Sequence, residues 1–184
     1  MSPTNSRSTS ALSPAKASRG LAPLLGGVLL AACASFDGRG LVPGESSERE
    51  LEALMGKPAE TQPLAGGETL YWYPRLPWGH VSYAARIGAD GRLVALEQRL
   101  TEGNISKVVR GQTTGKEVHD LLGPAWQPQH YPNLERDIWT YPMRVPGHAL
   151  PKWFLVQLSS DGIVRETYLI DDPQFVPQDR GRHR

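Results

Sequence analysis

Gly111-Gln112-Thr113-Thr114-Gly115-Lys116-Glu117-Val118-His119-Asp120-Leu121-Leu122-Gly123-Pro124 can be laid on Gly44-Glu45-Ser46-Ser47-Glu48-Arg49-Glu50-Leu51-Glu52-Ala53-Leu54-Met55-Gly56-Lys57-Pro58, and both Gly111 minus Gly44 and Gly123 minus Gly56 give an offset of 67. Internal self-similarity of this kind takes precedence over local structure, because it says how many times one unit is built. Ser47 with Glu50, and Thr114 with Glu117, each form the S/T-x-x-E pattern of a capping box. In such a box hydroxyl and carboxylate satisfy free N–H groups at a helix start. Leu51, Leu54 and Met55, and in the second copy Val118, Leu121 and Leu122, then fall at i, i+3, i+4 as an apolar stripe. Gly56 and Gly123 end the helices, and Pro58 and Pro124 prevent their continuation. Helices this short do not stand alone in water, so each must pack on something.

The segments that follow supply the partner. Leu70-Tyr71-Trp72-Tyr73-Pro74 matches Ile138-Trp139-Thr140-Tyr141-Pro142 at an offset of 68, and its aromatic content reads as a strand. Val81, Tyr83, Ala85 and Ile87 alternate with Ser82, Ala84 and Arg86, and Phe154, Val156 and Leu158 alternate likewise. Asp90-Gly91 and Asp161-Gly162, now 71 apart, mark hairpin turns into strands from Arg92 to Leu100 and from Ile163 to Ile170. The offset drifts only across loops, as duplication followed by loop insertion leaves it. The expected fold is α+β: two tandem repeats, each with one or two short helices packed on a three-stranded antiparallel sheet. Asn104 is expected to cap a further short helix that ends at Gly111. The repeats are expected over 41–101 and 102–172, with a flexible tail at 173–184.

Residues 1–32 contain Arg7, Lys16 and Arg19, no acidic residue, and an apolar stretch from Leu21 to Leu30. A positive head before a short apolar run is the anatomy of an export signal. It falls short of the roughly 20 apolar residues of a transmembrane helix. Leu30-Ala31-Ala32-Cys33 then resembles the lipobox of bacterial lipoproteins, which implies that a lipid is joined to Cys33, that 1–32 is removed, and that 33–40 is a lipidated tether. Cys33 is the only cysteine, so it has no disulfide partner within the chain. Removing 32 of 184 residues leaves 152, with 17 basic against 19 acidic groups, a net charge of −2. That balance gives no basic face for nucleic acid.

The run from Asn104 through Gly111, Thr113, Glu117, Val118, Leu122, Gly123 and Pro124, with the lipobox, resembles the SmpA/OmlA (BamE-like) family of outer-membrane lipoproteins. The resemblance implies two short helices on a three-stranded antiparallel sheet, and a role beside the β-barrel assembly machinery. Members carry one copy of the unit, and here there are two. Tandem units of a similar kind also occur in the β-lactamase inhibitory protein, where the sheet surface grips another protein. Ala34 after Cys33 is not the aspartate that signals inner-membrane retention, so the resemblance implies outer-membrane sorting on the periplasmic face.

Catalytic chemistry is not suggested. The histidines, His80, His119, His130, His148 and His183, form no metal-ligand spacing, and no cysteine cluster joins them. His119 and Asp120 with Ser159 and Ser160 supply the residue types of a triad but none of its activating context; His119 reads as a solvent-facing helix residue. No cofactor is implied. The candidate interface lies in two loops at the same place in each repeat: Arg75, Trp78 and His80 in one, Arg144 and His148 in the other. Trp and Arg are enriched in binding hot spots, although Trp78 also fits a role covering the end of a small core. The expected function is that of a non-catalytic binding or scaffold lipoprotein serving outer-membrane protein assembly or envelope integrity. The alternative is an inhibitor or sequestering protein of an envelope enzyme.

Overall fold

The computed structural model describes residues 37–176; the expected export signal, Cys33 and residues 177–184 lie outside them. Helix α1 (Glu48–Met55) is followed by strands β1 (Glu60–Pro63), β2 (Thr69–Pro74), β3 (Ser82–Ile87) and β4 (Leu93–Gln98). The second repeat runs α2 (Glu102–Ile105), α3 (Gly115–Leu122), β5 (Gln127–Tyr131), β6 (Arg136–Met143), β7 (Lys152–Ser159) and β8 (Val164–Asp171). Strands β1 to β4 form one antiparallel sheet and β5 to β8 another, each in sequence order.

The two copies agree to the level of single hydrogen bonds. Both capping boxes are closed: Ser47 Oγ accepts from Glu50 N and Thr114 Oγ1 from Glu117 N, while each glutamate carboxylate accepts from the cap residue's own N–H at 2.7 Å. Those bonds to the cap backbone, more than any other influence, hold the Glu50 and Glu117 carboxyls below their ordinary pKa. Ahead of each helix, Gly44 N donates to Leu93 O and Gly111 N to Val164 O, tying the approach to the last strand of its own sheet. Gly56 and Gly123 follow the helices at φ 82°, a backbone setting that suits only glycine.

Packing follows from strand alternation. On β2, Tyr71 and Tyr73 face α1, and the register carries Tyr83, Ala85 and Ile87 to the same side. There Leu51, Met55, Tyr73, Ala85, Ile87 and Leu93 form the first core. The second is larger: Val118 and Leu122 of α3 meet Tyr141, Met143, Phe154, Val156, Leu158 and Val164. The buried Tyr141 hydroxyl donates to Gly123 O at 3.1 Å.

The α+β architecture in two tandem units is as expected, with two differences of detail. Each sheet has a fourth strand, β1 or β5, on the edge beside β2 or β6. The short helix before Gly111 is capped by Thr101, whose hydroxyl accepts from Asn104 N, and it ends at Ile105. Asn104 sits inside it, and its side-chain amide donates to Arg99 O at 2.7 Å.

Candidate functional site

Each sheet has an inner face toward its own helix and an outer face away from it. The outer face of the first sheet carries Glu60, Gln62, Leu70, Trp72, Ser82, Ala84, Arg86, Ala95 and Glu97 by register. Helix α3 of the second repeat lies on it. Trp72 is fully buried, its ring edge-on to His119 at 5.7 Å. A Cβ on Gly123 would come within 2.6 Å of the Trp72 ring and 2.9 Å of Ser82 Oγ, so this glycine admits the first sheet as well as turning the chain. Polar groups complete the grip. Arg99 donates from Nη2 to Asp120 O at 2.9 Å and from Nε to Leu121 O at 3.3 Å, satisfying carbonyls left free at the end of α3. Gln62 donates to Asp120 Oδ1, and Glu60 pairs with His119 Nε2 at 2.8 Å. Burial alone would raise the Asp120 pKa, but hydrogen bonds from Lys116 and Gln62 hold it below the ordinary value.

Next to α3, where Ala84 and Ala95 are small, a cavity of about 500 Å³ opens, with Leu64 and Leu70 in its lining. Its cations are already paired: Arg86 with Glu68, Arg99 with Glu97, Lys116 with Asp120.

Among the described residues, no helix lies on the second sheet's outer face. Position for position, Thr140 stands where Trp72 does, Trp153 for Ser82, Leu155 for Ala84, Tyr168 for Glu97 and Ile170 for Arg99. Gln129 repeats Gln62, but the other groups that grip α3 are replaced, and the face becomes largely aromatic and aliphatic with Gln127, Gln129, Gln157 and Glu166 interspersed. Tyr131, Tyr168 and Ile170 are exposed, and Ile138, Trp153 and Leu155 are half-buried. An open apolar face of this kind on a folded unit is a candidate interaction surface. Strand alternation places Leu155 on the side away from Val156, and the pairing of Trp153 with Ile170 brings Ile170 to the same side.

The loop residues separate into two groups. Arg75 turns inward: Nη2 donates to Met55 O at 2.6 Å at the end of α1, and its guanidinium lies 5.6 Å from the centre of the Tyr73 ring. His80 is buried, at φ 54°, with its ring tilted on Phe175. Burial and then Arg144 hold its imidazole below the ordinary pKa, against Asp172 and a hydrogen bond to the Trp78 backbone. These two candidate interface residues thus serve the fold, because a helix end and a loop junction needed a donor and a filler. Trp78 is 71% exposed, and Arg144 and His148 are exposed on the neighbouring loop.

The candidate triad does not assemble. His119, expected to face solvent, lies between the repeats, since the first sheet covers the helix face away from α3's own core. Among the described residues no hydroxyl or thiol is hydrogen-bonded to it. Ser159 Oγ donates to Asp161 Oδ1 and accepts from Arg165 Nε at 2.7 Å, which makes it a hairpin brace. Among the described residues no group of three His, Cys, Asp or Glu side chains is placed to hold a metal ion, and no helix is long and apolar enough to cross a membrane.

No family model matches the chain, and no curated protein does. A solved structure with some likeness is a DUF4309 family protein, YjgB, from Bacillus subtilis subsp. subtilis str. 168, at 17% identity and a TM-score of 0.29, over 73% of this chain and 84% of that one. A likeness of that size bears on neither the fold nor the function of this chain.

Proposed function

We propose that this chain is an outer-membrane lipoprotein, anchored through a lipid on Cys33, that acts as a non-catalytic binding module in the periplasm. The supporting observation is the outer face of the second sheet. The first sheet buries that same face under α3, whereas the second exposes Tyr168 and Ile170 there beside Trp153 and Leu155. An aromatic-rich surface on a stiff sheet suits a protein partner, because rigid aromatic side chains supply contact area with little ordering cost. The resemblance to the SmpA/OmlA family makes a component of the β-barrel assembly machinery the first partner to seek. The alternative, sequestration of an envelope enzyme, has only the second sheet available to it, since the first is covered.

A photo-activated cross-linking residue placed at Tyr168 in intact cells is expected to capture one envelope protein, with capture lost when Ile170→Glu is added. Equal capture from Tyr168 and from a site on the far side, such as Arg49, would overturn the assignment of this face. Recovery of a single soluble enzyme would favour the sequestering role. The anchor has a separate test: Cys33→Ala is expected to abolish acyl labelling, and unchanged labelling would refute it.

A further inference from the structure

We infer that the end of the molecule built from loops 75–81 and 144–150 seats on an anionic lipid surface, with the Trp78 indole in the headgroup layer. The inference rests on Cys33 as the lipid-bearing residue and concerns a different surface from the sheet face above.

Three observations meet at this end. The first is Trp78 itself, 71% exposed on a loop that cannot fold it away. Gly79 N donates to Arg75 O at 2.6 Å, Arg75 N donates to Val81 O at 2.9 Å, and a Cβ on Gly79 would lie 2.4 Å from Arg75 O. Arg75 and His80, on either side of the tip, are anchored inward as described. A fixed indole presented to solvent has an apolar body and one N–H, the combination that favours membrane–water interfaces. Phe175 and Val176, exposed beside His80, widen the apolar patch.

The second is charge. Neither loop contains Asp or Glu, while Arg144, His148 and, at the end of α1, Lys57 are exposed. Of the carboxylates that follow the second loop's sheet, Asp172 is buried and Asp171 is bound to Lys152 at 2.6 Å, while Glu102 at the start of α2 is exposed. Cations close to an anionic leaflet are drawn to it over about a Debye length.

The third is where the described chain begins. Gly44 is bonded to Leu93, while Gly38 packs against Leu96 and Met55, so going backwards the chain advances along β4 toward Gln98. Gln98 pairs with Tyr83, beside the Trp78 loop, and Met55 O is the group that Arg75 holds. Four residue steps separate Asp37 from Cys33, a reach of at most about 14 Å. A lipid on Cys33 therefore keeps this end nearest the bilayer. A lipid chain together with a basic, apolar patch is the two-signal arrangement that converts loose attachment into stable seating.

The test uses the full lipidated protein in vesicles of phosphatidylethanolamine with a quarter phosphatidylglycerol, their acyl chains brominated. Of five tryptophans, Trp78 is the one on this patch. Bromine quenching of fluorescence is expected, with at least a twofold loss of the quenched fraction in Trp78→Phe and a similar loss in Lys57→Glu/Arg144→Glu. Equal quenching in wild type and Trp78→Phe, or unchanged quenching in the charge variant, would overturn the inference. If mass spectrometry shows Cys33 unmodified, the same chain is added to preformed vesicles. Trp78-dependent quenching there would support seating without the anchor, and its absence would overturn seating along with the anchor.

Discussion

The outer faces of the two sheets occupy matching places in the two repeats and have opposite fates. On the first, Trp72, Ser82, Ala84, Glu97 and Arg99 meet a helix; on the second, Thr140, Trp153, Leu155, Tyr168 and Ile170 meet none among the described residues. A duplicated unit of this kind carries one such face per copy, and packing the copies together consumes only one. The difference shows what each set of residues serves: fit and hydrogen bonding where the partner is built in, exposed apolar area where it is not.

Removing the ring that fills the first interface is expected to have the largest effect. Trp72→Ala should cost about 3–5 kcal/mol in denaturant unfolding, whereas Thr140→Ala should stay within about 1 kcal/mol; similar costs would mean that α3 adds nothing to the first sheet. Next come the two helix-ending glycines. Gly56→Ala and Gly123→Ala share a backbone strain of about 1–3 kcal/mol, but only Gly123 meets Trp72 and Ser82, so Gly123→Ala should cost about 1–3 kcal/mol more. Midpoints measured side by side decide it, and equal costs would count against a close approach of the repeats. Arg99→Met, which strands the carbonyl of Asp120 and leaves Leu121 O only the Asn104 amide at 3.5 Å, should cost about 1–3 kcal/mol.

His80 sharpens the contrast at the loop end, through pH. Its folded pKa lies below the unfolded value. In the window between the two the unfolded chain holds more protons, so stability is full above the ordinary histidine pKa of about 6.5 and declines as the pH falls toward the folded value. His80→Asn, which tolerates the left-handed backbone, should flatten that decline between pH 7.5 and 5; an unchanged slope would place it elsewhere. The smallest change in stability is expected on the open face, where Tyr168→Ser should stay within about 0.5 kcal/mol while partner capture falls.

What the sequence made legible was local. Capping boxes, Asp-Gly hairpins and alternating strands such as β3 depend on neighbours a few residues apart. Strands β1 and β5 were hidden because Glu60-Thr61-Gln62-Pro63 and Gln127-Pro128-Gln129-His130-Tyr131 carry proline and no apolar alternation, as edge strands can. The setting of His119 depended on a sheet some 60 residues earlier, beyond any helical period. A signal was nevertheless present: Leu70, Tyr71, Trp72 and Tyr73 are apolar without a break, and a strand of that kind is covered on both faces. In the candidate interface, Trp78, Arg144 and His148 are at the surface and Arg75 and His80 are not, because residue type alone does not tell a free guanidinium from one that caps a helix.

Replacement of Arg99 by Ile170 also bears on solubility. The layers run helix, sheet, helix, sheet, so one end of the stack offers α1 and the other an open sheet, a polarity that invites head-to-tail growth. Contacts of that type do not close and propagate as fibres. Here Ile170 has no donor for helix-end carbonyls, and α1 carries Ala53 and Glu52 where α3 has Asp120 and His119. The same differences that leave the second face open also deprive a second molecule of the polar grip it would need to extend the stack.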